Sequence, residues 1–221
     1  MRAGQTLVAA DGYEVALFPM PYLRMSQDEG GDYSHQGTYN IDLVGWGPNG
    51  RILRAPLYAP CTCKLVYKLG SGSGGNMRCF QSVNRVHTPA GLQYITFYFG
   101  HDNDPPVNTI GQVVNQGDLI YRTGTEGHVT GDHCHTCMGY GQWVSWSYNI
   151  HDNRNPAGSF DFEYRLHYWD AVYVNDTVIS IGYNHNWVEW TGPIPPGPTP
   201  VSFNKFPWVL YARKFRRDRH N

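Results

Sequence analysis

At 221 residues the chain can form one sizeable domain, or one domain with appendages. Its 17 Lys+Arg nearly balance 18 Asp+Glu, a net charge of -1. That excludes a global field drawing it to nucleic acid. No apolar run approaches the ~20 residues of a membrane helix. The start, Met1 to Ala10, runs into Asp11, Glu14, Pro19 and Pro21, so it is not a signal-peptide core.

Helical periodicity is nearly absent. Short runs rich in β-branched and aromatic residues are separated by Gly, Pro, Asn and Asp clusters, which predicts strands and turns. The expected strands, in chain order, are Glu14–Phe18, Tyr39–Leu43, Arg51–Ala55, Cys63–Leu69, Arg78–Val86, Tyr94–Phe99, Leu119–Thr123 and His133–Met138, then Trp143–Tyr148, Ala171–Val174 and Thr177–Ile181. Ser71-Gly72-Ser73-Gly74-Gly75 reads as a hairpin tip, and Asn115-Gln116-Gly117-Asp118 as a tight turn. Residues 149 to 165 form a polar excursion, expected as a surface loop. Low charge, 16%, with 16 Tyr and 7 Trp, fits a β-rich protein that handles polymers outside a cytoplasm.

Residues 192 to 200 hold five prolines in nine positions and read as a stiff extended linker. The segment 201–221 joins an aromatic run, Phe206 to Tyr211, to five basic residues within Arg213–Arg219, and reads as a docking tail. The last few residues read as a frayed terminus.

The chemistry concentrates in Thr130-Gly131-Asp132-His133-Cys134-His135. Period-two alternation along a strand puts His133 and His135 on one face. Two imidazoles side by side suit a zinc ion better than a core. Upstream, Ser34-His35-Gln36-Gly37-Thr38-Tyr39-Asn40-Ile41-Asp42 offers one more nitrogen and a carboxylate. His35, Asp42 and His135 would make a three-ligand site with an open position for water. That leaves His133 to carry a proton. His101, ending an aromatic strand, would orient the water or steady the oxyanion. Tyr33 and Tyr39 flank His35 and are expected near substrate, as is His128 in the loop before the motif.

The five cysteines, Cys61, Cys63, Cys79, Cys134 and Cys137, show no regular framework and allow at most two disulfides. Cys134-x-x-Cys137 with Cys61-x-Cys63 could instead build a structural zinc module. Buried reduced thiols are the simpler reading. Cys134 faces away from its histidine neighbours.

These elements resemble the lysostaphin/LytM-type zinc endopeptidases. The similarity runs over roughly residues 33–140: Gly37 and Asp42 after His35, His101 after its strand, Gly111 to Ile120, and Thr130-Gly131-x-His133-x-His135. The resemblance implies a mainly β fold, an antiparallel sheet whose groove carries one Zn2+. It implies His35, Asp42 and His135 as metal ligands, and His133 and His101 as catalytic. Its implied activity is hydrolysis of peptide cross-bridges in the peptidoglycan of a bacterial, most naturally Gram-positive, wall. Two features depart from the pattern. Asp42 lies seven residues after His35 where the family usually has four, which predicts a loop before the strand carrying Asp42. Thr136-Cys137-Met138 replaces the usual aromatic and carboxylate after the motif.

The expected organisation is a peptidase domain over 1–191, with a core of about 33–140 and an extension over 141–191, then the linker and the tail. A phage virion or tail-tip lysin opening the wall during genome entry is the preferred setting, with 201–221 against other tail proteins. A free endolysin, outside the cell or at its wall, comes second. A catalytically silent tail protein retaining the fold is the non-enzymatic alternative.

Overall fold

The computed structural model describes residues 1–72, 75–106, 108–149, 160, 165–174, 184–185, 190 and 192–193. Its elements in chain order are β1 (Leu23–Gln27), β2 (Ile41–Gly47), β3 (Gly50–Ile52), β4 (Pro56–Tyr58), β5 (Cys63–Lys68), β6 (Arg78–Ser82) and β7 (Val86–Thr88). There follow β8 (Gly91–Gln93), β9 (Ile95–Gly100), β10 (Val113–Val114), β11 (Leu119–Arg122), β12 (Cys134–Tyr140), α1 (Trp146–Asn149), β13 (Arg165–Leu166), α2 (Tyr168–Ala171) and β14 (Asn184–His185). The protein is mainly β, as its sequence predicts.

The main sheet runs β10-β5-β6-β9-β12-β2-β1-β14, with β3 paired to β2 and β13 to β12. Every pairing between its strands is antiparallel. Strands β4 and β11, and β7 and β8, form separate two-stranded ribbons.

The central strands are buried on both faces. Along β6 and β9 every residue is buried. One face carries Phe80, Phe97 and Phe99 into the main core with Leu43, Leu57, Leu65, Cys134 and Met138. Stacked Phe80 and Phe97 rings lie 5.6 Å apart, and Phe97 meets Phe99 at 5.5 Å. The other face carries Cys79, Tyr98 and Cys137, covered by Phe160, Tyr67, Trp143 and Trp146. Double coverage explains why Ile95-Thr96-Phe97-Tyr98-Phe99 reads as a nearly continuous apolar run instead of an alternating one.

Several local expectations need correction. Trp143–Tyr148 is not a strand. Asn149 Oδ1 accepts from the Val144 and Ser145 amides at 2.6 and 3.1 Å, and the Asn149 amide donates to Ser145 O at 2.9 Å. These bonds close one helical turn, α1, whose Trp146 stacks on Tyr67. Ala171 ends the helical turn α2, and the chain is extended from Val172 onward, with a bridge at Tyr173. Residues 14–18 make isolated bridges, Val15 to His87 and Leu17 to Tyr173, in place of a strand. Strand β1 went unread because Leu23-Arg24-Met25-Ser26-Gln27 has few β-branched or aromatic residues. Its pairing with β2 decides its conformation, so context overrides propensity here.

The expected turn at residues 115–118 is present: the Asn115 amide donates to Asp118 Oδ2 at 2.8 Å, and Gly117 takes φ 87. Asn149 and Phe160 within the expected 149–165 surface loop are buried. The remainder of that loop up to residue 164, the expected strand Thr177–Ile181, most of the linker and the whole 201–221 tail lie outside the described residues.

Replacing Phe97 by Ala removes a ring from the middle of this core and is expected to cost about 3–5 kcal/mol in urea denaturation. Leu119→Ala, at a side chain 49% exposed, should stay within about 0.5 kcal/mol of the parent.

Candidate metal centre

Strand β12 lies between β2 and β9, and this position assembles the site. His135 is in register with Asp42 on one side and with Gly100 on the other. His133 enters just before β12 through a two-way backbone bridge to Gly124, both bonds 3.0 Å. His133 and His135 share a face, while Cys134 turns into the main core. That is the alternation predicted from the sequence.

His35 comes from the loop between β1 and β2. Its amide donates to Gly31 O at 3.0 Å, its carbonyl accepts from the Thr38 amide and hydroxyl at 2.9 Å each, and Gly30 N–H reaches Thr38 O at 3.0 Å. Gly37 supplies the left-handed residue at φ 69. The long interval from His35 to Asp42 is thus taken up by a hydrogen-bonded loop, as expected.

Three donor atoms converge. His35 Nε2 lies 3.2 Å from His135 Nδ1. Asp42 Oδ1 lies 2.9 Å from His135 Nδ1 and 3.4 Å from His35 Nε2. An ion with bonds of about 2.0–2.1 Å in tetrahedral geometry spaces its ligands roughly 3.3 Å apart. The triangle therefore matches one face of such a tetrahedron and leaves the fourth vertex open. His35 Nδ1 faces the Asp28 carbonyl at 3.0 Å. A carbonyl only accepts, so that nitrogen carries the proton and Nε2 presents its lone pair to the cluster.

Burial alone would raise the Asp42 carboxyl. Close polar contacts with the His135 and His35 rings, with the charges of His135 and His133, outweigh burial and hold it far below the usual carboxylate range. It stays an anion, as a hard ligand must. Gln27 Nε2 donates to its second oxygen at 3.4 Å.

The other two expected residues are adjacent. His133 Nε2 lies 3.6 Å from Asp42 Oδ1, and its Nδ1 bonds Gly131 O at 2.8 Å. His101 follows β9 directly in a left-handed conformation, φ 82, with its ring 4.7 Å from that of His133. Its Nδ1 bonds Glu126 O at 2.8 Å. Glycine at 124 is required beside it, since a Cβ there would lie 2.1 Å from His101 O. Burial, followed by the charges of His133 and His135, lowers the His101 imidazole to about 4.

Sequence reasoning missed the support beneath the motif. Asp132 Oδ1 accepts from Thr123 Oγ1 at 2.6 Å, its Oδ2 accepts from the Arg54 amide at 3.2 Å, and its carbonyl accepts from Arg51 Nη2 at 2.8 Å. Only the closeness of Asp132 to the histidine pair in sequence pointed that way.

The three residues expected near substrate are less closely tied to the cluster. Tyr33 is 83% exposed. Tyr39 stacks on His167 at 3.9 Å beneath the Arg165 guanidinium. His128 is exposed in its loop.

All five cysteines are buried, and none is joined in a disulfide. Burial pushes the Cys61, Cys63, Cys79 and Cys134 thiols up, so they remain protonated and poor metal ligands. Among the described residues, the group poised to hold an ion is His35, Asp42 and His135, with no cysteine in it. His87 pairs with Asp11 at 3.0 Å, away from this group.

No known family profile matches the chain. Over 181 residues, 80% of its length, it is 31% identical to morphogenesis protein 1 of Bacillus phage B103. The match covers 44% of that protein, so the chain spans less than half the length of this relative. A zinc-containing peptidase from Vibrio cholerae superposes with TM-score 0.40 at 18% identity, over 61% of this chain and 43% of the other. The catalytic domain of lysostaphin from Staphylococcus simulans gives 0.35 at 14% identity, over 54% of this chain and 80% of the domain. Overlaps this low bear no weight for function.

A histidine held neutral in the fold binds its proton more readily once unfolded. Stability attributable to His101 is therefore complete above its unfolded value of about 6.5 and declines as pH falls toward about 4. In metal-free protein, urea midpoints measured across that window should fall more steeply for the parent than for His101→Gln.

Proposed function

We propose that the protein is a zinc-dependent endopeptidase that hydrolyses peptide cross-bridges in bacterial peptidoglycan. The observation that carries this reading is the convergence of His35 Nε2, Asp42 Oδ1 and His135 Nδ1 around one open vertex. In this reading the three residues hold the ion. Two neutral nitrogens and one carboxylate suit zinc and leave net positive charge on it. Zinc bound there supplies polarisation of the scissile carbonyl and acidification of water at neutral pH.

The chain's own groups handle the protons. A proton on His133 Nδ1, facing Gly131 O, leaves Nε2 free and directed at the cluster. His133 then takes the proton from the attacking water and delivers it to the departing nitrogen as the C–N bond breaks. His101, held by Glu126 O in the same way and kept neutral by burial, orients the water or steadies the developing oxyanion. Tyr33, Tyr39 and His128 are assigned to substrate contact from their places around His35 and before the motif.

The setting is a phage virion, with the protein acting at the tail tip during genome entry. Similarity to a phage morphogenesis protein supports this, although the chain matches only 44% of that relative. Its partners would be the wall and neighbouring tail proteins, the latter through residues 201–221. No described helix is long and apolar enough to cross a membrane.

Metal analysis and wall digestion test the reading together. The parent should hold about one zinc per chain, and His35→Ala, Asp42→Asn and His135→Ala should each lose it. Cys137→Ala should keep it; the opposite pattern would indicate a Cys/His structural module. His133→Ala should keep zinc yet release new amino termini from purified walls about 10²–10⁴-fold more slowly. A zinc-loaded parent that releases none from any wall tested would leave a silent structural protein.

A further inference from the structure

Strand β2 carries the face of the metal cluster onward. Asp42, Val44 and Trp46 point the same way, at steps of about 7 Å. Arg24 on β1 is in register with Val44, and Arg51 on β3 with Trp46. Val44, Trp46, Arg24 and Arg51, with Thr130, Gly131, Asp132 and His133, line a cleft of about 340 Å³. His133 lines the cleft and also faces Asp42 of the cluster.

Two guanidinium groups and one carboxylate, that of Asp132, line the cleft. The Arg24 guanidinium lies over the Trp46 ring at 4.8 Å, which flattens and orients it. Arg51 spends one donor on the Asp132 carbonyl at 2.8 Å, which fixes its head while other N–H groups remain. Among the described residues neither guanidinium has a carboxylate partner. The Asp132 carboxylate is already engaged by Thr123 and the Arg54 amide. Two arginines with oriented heads and no carboxylate partner line one cleft beside His133, which suits recognition of an anion.

We propose that Arg24 and Arg51 form a subsite for a substrate carboxylate on the leaving-group side of the scissile bond. This rests on the endopeptidase reading, which has His133 protonate the departing nitrogen. The half of the substrate that keeps that nitrogen therefore lies along the His133 side, over the cleft. One β2 step equals about two residues of extended peptide. The clamped carboxylate belongs to the residue supplying the nitrogen or to its immediate neighbour. The preferred substrate class is a cross-link whose amine donor bears a free carboxylate, as opposed to a neutral bridge.

The test uses two synthetic cross-linked peptides, identical except that this group is a carboxylate in one and a carboxamide in the other. Both kcat/KM and calorimetric binding are measured with the zinc-loaded chain. The parent should favour the carboxylate peptide by about tenfold to a hundredfold, as charge-assisted hydrogen bonds allow. Arg24→Gln should bring that ratio close to one, Arg24→Lys should keep part of it, and zinc content should not change. Arg51→Gln should also lower the ratio, and Arg24→Gln provides the check that leaves the Asp132 loop alone. Equal handling of both peptides by the parent, or a ratio surviving in the double variant, overturns the subsite. Preferential binding without cleavage upholds the subsite and overturns the hydrolase reading.

Discussion

Register between β2, β12 and β9 governs the candidate site, because it decides what stands opposite His135. With Asp42 across one ladder and Gly100 across the other, a carboxylate meets the imidazole on one side and β9 delivers His101 on the other. A slip of one residue would send both histidines into the main core and bring Cys134 to the surface. Phe80, Phe97, Phe99 and Met138 hold that register by filling one side of the sheet. Tyr98, Cys79 and Cys137 lock the other. The rigidity of the site therefore originates in ordinary apolar packing some residues away from it.

On that frame sits a dense polar arrangement. One carboxylate is surrounded by three imidazoles within 3.6 Å. In the main, the outward ring nitrogens meet backbone carbonyls: Asp28 for His35, Gly131 for His133 and Glu126 for His101. Carbonyls cannot donate, so they settle each tautomer without adding charge. Lone pairs are left pointing inward, where a cation would compensate them. The same logic explains the close backbone approach at Gly124, which lets β11's continuation run against His101.

The cysteines illustrate how similar residue types diverge with environment. Cys134 adjoins the histidine pair in sequence but sits in apolar surroundings that keep its thiol protonated. Cys79 and Cys137 both face Tyr98 from neighbouring strands, in register on either side. A C-x-x-C spacing is therefore only a packing feature on this strand, where the two sulfurs lie on opposite faces.

The sequence by itself determined the β class, the shared face of His133 and His135, the outward-facing role of that face relative to Cys134, and the need for a loop between His35 and Asp42. All follow from strand periodicity and short-range spacing, which are local properties. Only the tertiary structure decided that α1 and α2 are helical turns and that Leu23–Gln27 is a strand. It also decided that Arg24, Trp46 and Arg51 line one cleft beside His133. Those outcomes depend on a side-chain cap at Asn149, on pairing with β2, and on registers between strands far apart in the chain. Strand partners are chosen by the energy of the whole sheet, so no single segment carries that information.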